Sequence, residues 1–302
     1  MEKVVQKQSF KAYKMKQKII PYLFLAPNLI IFSIFIIYPA LIGVYYSFTD
    51  MSLFTFGTPD LVGFENYIRL FQDEDFIAAI FNTFQLVIVT VPIVFVVSLT
   101  LAILLVQPLK LVGLFRASYY WPVMISAVVV GIMWNWILAT DRSMFNQFIG
   151  LFGVGPIDTL TNPIFAWCSV VFAIVWSRAG YYMIIFVAAL FSVPTSLYEA
   201  ARMDGANRIQ RFLYVTWPSL KAARVMVFIL VTMEVFKTYP LVVTLTGGGP
   251  FDATEFTVQY IYEMAFDSYQ VGYASAMSVI MLLFVTIITG LNFYLSKGGS
   301  HE

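Results

Sequence analysis

Charge is scarce in this chain: 12% of its 302 residues are Asp, Glu, Lys or Arg, about half the share found in an ordinary soluble domain. So few charged groups cannot coat the surface of a water-soluble fold of this length, which excludes a single soluble domain. The one cysteine, Cys168, lies inside an apolar run, has no partner for an intramolecular disulfide and is expected to be a buried thiol. The one histidine, His301, stands in a polar tail. Neither a metal site of His and Cys ligands nor a Cys-His nucleophile pair can be assembled from these two. A net charge of +1 offers no field to draw in nucleic acid. The chain contains no G-x-x-x-x-G-K-[ST] phosphate loop, so ATP hydrolysis, if it is needed, falls to another protein.

What the chain has in excess is apolar length. Hydrophobic residues make up 60% of it, and its mean hydropathy is +0.81. They gather into runs of about 20 residues or more, the length that crosses a bilayer. The expected fold is an all-α membrane protein of about six spans, at roughly 19–48, 83–107, 117–139, 163–191, 223–246 and 271–295. A basic segment, 1–18, precedes the spans and a short tail, 297–302, follows them. The first run lacks a small-residue cleavage site of the A-x-A kind, so it is expected to remain as an anchor and not to be removed as a signal.

The connections set the orientation. Lys3, Lys7, Lys11, Lys14, Lys16 and Lys18 precede the first span, and Lys110 and Arg116 occupy the second connection. Arg202, Arg208, Arg211, Lys221 and Arg224 cluster around the fourth, and Lys297 follows the last span. That places 14 of the 18 basic residues on one side, against Arg69 and Arg142 on the other. By the positive-inside rule both termini are expected in the cytoplasm of a multi-pass protein of the cell membrane. In the first outer loop, the stretch "FENYIRLFQDEDFIAAIF" carries Phe64, Tyr67, Ile68 and Phe71 at helical spacing. It reads as a helix lying along the outer surface, with docking of a partner as the other reading. "TGGGP", Thr246 to Pro250, reads as a tight turn whose glycines permit positive φ. Pro92, Pro122 and Pro240 fall within spans and are expected to kink them around a cavity.

The segment 193–220, "VPTSLYEAARMDGANRIQRFLYVTWPSL", holds the densest local signals. Pro194 ends the preceding span, and Ser196 with Glu199 has the spacing of a capping box, which predicts a helix from near Leu197. Gly205 supplies the left-handed position that ends it, and a second short helix runs from about Asn207 to Pro218. Ala200 and Ala201 let a foreign surface approach closely, while Arg202, Arg208 and Arg211 offer charge. Glu199 reads equally as a helix cap and as a partner contact.

These residues resemble the membrane subunits of ATP-binding-cassette (ABC) importers. That family carries Glu-Ala-Ala, three residues, Gly, nine residues, then Ile-x-Leu-Pro. Here the spacing is filled by Glu199-Ala200-Ala201, Gly205 and Val215-Thr216-Trp217-Pro218, with Val215 and Trp217 in place of Ile and Leu. "PYLFLAPNLIIFSIFIIYPALIGVYYSFTD", "VGFENYIRLF" and "LTGGGPFDATEFTVQYIYEMAFDSYQVGYASAMSVI" look like the carbohydrate branch, of the maltose or glycerol-phosphate permease kind. The resemblance implies a type I importer fold and a permease that is not itself an enzyme. It implies as partners a second similar permease, two cytoplasmic ATPases and an extracellular or periplasmic sugar-binding protein. ATP and Mg would be held by the ATPases, so that this chain needs no cofactor of its own. It also implies that Glu199, Ala200, Ala201, Arg202, Asp204, Gly205 and Ala206 form a coupling helix that docks on an ATPase.

For the substrate, the charges inside the spans are informative, because an arginine at the bilayer centre costs about 2.5–3.5 kcal/mol on insertion scales. Arg178, Glu234 and Lys237 should therefore face a wet cavity or one another. Ile174, Ser177, Arg178 and Tyr181 share one helical face, as do Glu234, Thr238 and Leu241. Ser177, Arg178, Tyr181, Glu234 and Thr238 are the candidate cavity residues, with Tyr181 or Trp176 available to stack on a sugar ring. A purely structural Arg178–Glu234 ion pair is the competing reading. A secondary transporter would show inverted repeats, and a membrane enzyme would need clustered catalytic groups; neither is visible. An ABC permease for another small solute is the nearest alternative.

Overall fold

The computed structural model describes residues 20–54, 58–107, 110–139 and 143–297. The basic segment 1–18, Arg142, His301 and the tail beyond 297 lie outside the described residues. The described residues are helical apart from connections and one isolated bridge between Thr49 and Leu61. Four helices are long and apolar enough to cross a bilayer unbroken: α1 (Ile20–Tyr46), α3 (Glu74–Leu105), α7 (Pro163–Phe191) and α13, which runs Val271–Lys297. Two bent pairs bring the candidate spans to six when each pair is counted as one.

The third expected span is one such pair. Helix α4 (Val112–Met124) meets α5 (Ala127–Leu138) at 98°. Its last turn, Trp121–Met124, is 3-10 helix containing Pro122; Ile125 is extended, and Ser126 caps α5 by accepting from Val129 N–H. The fifth span divides into α10 (Lys221–Phe236) and α11 (Tyr239–Leu245), bent by 49°. Pro240 lies in the first turn of α11, where its missing N–H leaves no donor to continue the helix from α10. Pro92 has no such effect: α3 runs through it for its full 32 residues.

The two broken spans lean on each other. Gly131 of α5 allows α11 to come so close that a methyl group there would meet Oγ1 of Thr244 and lie 2.6 Å from the Leu241 carbonyl. Asn135 Nδ2 donates to the last α11 carbonyl, Leu245 O, at 2.7 Å. In lipid, apolar burial gives no drive to association, so close packing and such polar bonds, averaging about 0.6 kcal/mol each, must hold helices together. The largest interface, α3 on α7, follows the same rule. Small residues recur along α7 at Ala166, Ala173 and Ser177, all buried. Thr83 and Ser98 of α3 bury their hydroxyls by donating to the carbonyls of Ala79 and Val94. Cys168 is not buried as expected: it lies on the exposed side of α7 with Ile164 and Phe172, four residues away on either side, an outward row suited to lipid.

On the outer side the loop reading needs correction. "FENYIRLFQDEDFIAAIF" is not one surface helix: α2 (Glu65–Leu70) is short, and α3 begins at Glu74 instead of 83. Asp73 causes the division, because its carboxylate caps α3 by accepting from Phe76 N–H at 3.0 Å. The same carboxylate accepts from Tyr273 at 2.6 Å and Tyr260 at 3.0 Å, tying α3 to α13 and to α12 (Thr257–Tyr262). Arg69 stands 4.0 Å over the Tyr273 ring and donates to Gln270. Leu70, Phe76, Ala79, Tyr260, Ala276 and Met277 pack beneath as a separate buried cluster. In the glycine turn, Gly247 and Gly248 take φ of 64° and 91°, the left-handed conformations expected of them.

Candidate functional site

The charged residues of the spans converge where the two broken spans face α7. Arg178 Nη2 lies 2.8 Å from Glu234 Oε1, joining α7 to α10. Both side chains are partly open, at 31% and 41% exposure, so the pair borders an open space and is not sealed in a core. That space is a cavity of about 350 Å³, lined by Val123 from α4, Arg178, Tyr181 and Tyr182 from α7, and Leu230, Met233, Glu234 and Lys237 from α10. Lys237 is the C-cap of α10, with its N–H bonded to Glu234 O at 3.0 Å. The break in the fifth span therefore presents an exposed ammonium beside the ion pair. A bend that opens onto a polar cavity is where a membrane helix tolerates lost backbone bonds.

Three expectations for this cavity are corrected. Ser177 is buried toward the core, with its hydroxyl donating to Ile174 O at 3.1 Å. It shares a helical face with Arg178, but that face spans the edge between core and cavity. Thr238 is the N-cap of α11 and not a cavity wall. Trp176 packs edge-on against Trp134, ring centroids 5.6 Å apart, and borders a different, apolar recess with Phe115 and Gly180. Tyr182 and Lys237 complete the wall. Tyr182 follows Arg178 by four residues, a helical spacing that could have flagged it; Lys237 was visible as a charge within a span.

The second region is the connection after α7. Helix α8 (Thr195–Met203) has Pro194 as N-cap and no side-chain cap bond, so Ser196 and Glu199 do not make the expected box. The fixed φ of Pro194, −58°, starts the helix without one. Gly205 at φ 75° ends it: Gly205 N–H bonds Arg202 O and Ala206 N–H bonds Ala201 O, the paired closure of a Schellman motif. The capping box forms one helix later. Asn207 accepts from Gln210 N–H at 2.9 Å, and its own N–H donates to Gln210 Oε1 at 2.8 Å. They open α9 (Arg208–Arg211), which continues through a π-helical turn, Phe212–Thr216, to Trp217–Ser219. Tyr198 holds α8 to that turn, its hydroxyl 3.0 Å from Thr216 Oγ1. Glu199, Ala200, Arg202, Asp204 and Gly205 are exposed, and Ala201 and Ala206 partly so. Met203 is 88% exposed at the tip.

The described residues thus form a helical membrane chain with two bent spans beside a charged cavity and a helix-turn-helix after α7. Residues 68–299 match the family described as the binding-protein-dependent transport system inner membrane component, and the chain belongs to that family. It is thus a multi-pass permease of ABC importers. The sulfoquinovosyl glycerol transport system permease protein SmoG of Agrobacterium fabrum is 31% identical, over 91% of this chain and 89% of its own. The probable starch degradation products transport system permease protein AmyD of Thermoanaerobacterium thermosulfurigenes is 31% identical, over 95% and 97%. The fold is that of a solved bacterial ABC transporter involved in the import of the acidic polysaccharide alginate. The TM-score is 0.82 at 24% identity, covering 96% of this chain and 99% of that one.

Proposed function

We propose that this permease carries a carbohydrate through the cavity at Arg178, Tyr181, Tyr182, Glu234 and Lys237, driven by ATPases that grip α8. Its partners are a second similar permease, two ATPases and an external sugar-binding protein, and both termini face the cytoplasm. What carries the reading is α8 itself. It is a short helix with small residues Ala200 and Ala201, an uncovered Met203 and a backbone locked by Gly205, on a chain of the permease family. An apolar tip left in water by a built turn suits a docking surface. The names of the two relatives, for sulfoquinovosyl glycerol and starch degradation products, support a sugar as cargo. Helix α1, whose apolar side chains are largely uncovered, offers the second permease a surface.

Mechanically, the ATPases must bind the inward-open and outward-open forms with different free energies, or nucleotide cannot shift the cavity between faces. α8 conveys that difference because Tyr198 and the Schellman closure make it move as one body with α9. Substituting Gly205→Pro forbids the positive φ, and Ala201→Asp places bulk and charge in the grip. Both variants should insert into membranes and lose substrate-stimulated ATP hydrolysis in the reconstituted complex. Stimulation at the native level in both would overturn the reading.

A further inference from the structure

A second cavity, of about 350 Å³, lies between α8 and α9 and the ends of α3 and α7. Arg202, Arg208 and Arg211 line it together with Tyr198 and Gln107, and Ile103, Val106, Leu190 and Phe212 supply an apolar wall. The neighbouring arginines are engaged. Arg116 donates to Leu105 O at 2.6 Å and stands over the Phe191 ring, and Arg224 lies 3.8 Å over the Trp217 ring. The three lining arginines differ, because none has an ion pair or side-chain hydrogen bond among the described residues. Arg211 Nε is moreover cut off from solvent without an acceptor, a condition it shares with the Nε atoms of Arg116 and Arg224. Three like charges around one space repel each other, and a buried unpaired donor costs free energy. An anion with several acceptor oxygens would relieve both.

We propose that this cavity is a binding site for a phosphoryl group, held by Arg208 and Arg211 with Arg202 at its mouth. The guanidinium fork matches phosphate oxygens two at a time, which a point charge does not. The depth also fits. α3 ends at Leu105 and α7 at Phe191, so the site lies at the ends of the spans, the level of lipid headgroups, and its apolar wall at Ile103 and Leu190 is part of the helix core. Basic pockets between helix ends on the cytoplasmic side are where anionic headgroups bind. Filling it would brace α8 and α9 against α3 and α7.

The test is binding by the full-length chain in detergent, independent of transport. Phosphatidylglycerol, phosphatidylcholine and inorganic phosphate are the probes, read by native mass spectrometry and by the thermal midpoint. Phosphatidylglycerol should be retained at one per chain, about tenfold or more tighter than phosphatidylcholine, given the headgroup attraction of each arginine. The double variant Arg208→Gln, Arg211→Gln should erase that preference, and Arg208→Lys with Arg211→Lys, which keeps charge without the fork, should retain part of it. If phosphatidylglycerol shows no preference but inorganic phosphate raises the midpoint of the native chain and not of the glutamine variant, the site stands and is filled from solution. Equal retention of both lipids by native and glutamine chains, with no response to phosphate, overturns it. The lysine variant guards against misfolding: if it retains the native midpoint and yet binds all three probes as the glutamine variant does, and as the native chain does, the arginines hold no phosphoryl group.

Discussion

Asp73 carries more of the outer structure than its one side chain suggests. Burial pushes its carboxyl up, but the bonds from Tyr273, Phe76 N–H and Tyr260 outweigh that and leave it below its ordinary value. A depressed carboxylate stabilises the fold above its unfolded pKa, about 3.9, and that contribution is lost as pH falls through the lower folded value. Glu255 works in the opposite sense. Burial, Glu263 and Asp252 raise it to about 7, so its share of stability is full below the unfolded value and is lost as pH rises through about 7. Thermal midpoints of the purified protein should therefore peak in mildly acid buffer. Asp73→Asn should lower the peak by the equivalent of about 2 kcal/mol, a cap and a charged hydrogen bond together, and flatten the acid limb. Glu255→Gln should flatten the limb near neutrality. At the cavity, the Arg178–Glu234 pair neutralises itself and leaves Lys237 as the uncompensated charge. Lys237→Met should raise KM for an acidic sugar about tenfold, the effect of losing roughly one charged hydrogen bond, and leave a neutral sugar within twofold, measured by uptake into vesicles.

Among the elements, the broken spans depend on residues too small to draw notice. A methyl group at Gly131 would drive α11 off α5, so Gly131→Ala should cost about 1–3 kcal/mol of overpacking, seen as a lower midpoint in detergent. Gly113, with open space around it, should tolerate the same change. This contrast shows what was legible in the sequence and what was not. Helix α7 occupies 163–191 as read, because Asn162 and Pro163 announce its start locally: Asn162 accepts from Ile164 and Phe165 N–H. The end of α8 at Gly205 was equally local. The bends were only half legible, since Pro92, Pro122 and Pro240 give the same signal and only the latter two break a helix. The start of α3 was misplaced because the stretch from Phe64 to Phe81 reads as one surface helix, when Asp73 within it is a cap that divides it. In the cavity, cost alone narrowed Arg178 and Glu234 to a wet space or each other, and the structure gives both. Ser177 and Trp176 were misassigned because periodicity names a helical face without saying which neighbour covers it.

At the scale of the whole molecule, the fold concentrates basic residues at one end and acidic residues at the other, with Glu199, Asp204 and Arg69 as exceptions. The arginines of α8, α9 and the start of α10 lie with Arg116 at the ends of α3 and α7. Asp73, Glu74, Asp75, Glu255 and Glu263 gather at the opposite ends, where α2, α3, α12 and α13 meet. Insertion holds basic connections in the cytoplasm, and an ATPase can reach α8 only from there, so one orientation satisfies both the charge and the proposed coupling. Single cysteines report it directly once Cys168, which is exposed, is replaced by serine. On intact cells a membrane-impermeant maleimide should label Gln72→Cys, in the exposed turn before α3, and should reach Ile209→Cys on α9 only after the membrane is opened. Labelling of Ile209→Cys from outside, with Gln72→Cys protected, would put α8 beyond the reach of any cytoplasmic ATPase. The coupling role of Glu199 to Ala206 would then have to be abandoned, and the phosphoryl site would lose its argument from cytoplasmic headgroups and stand on its binding test alone.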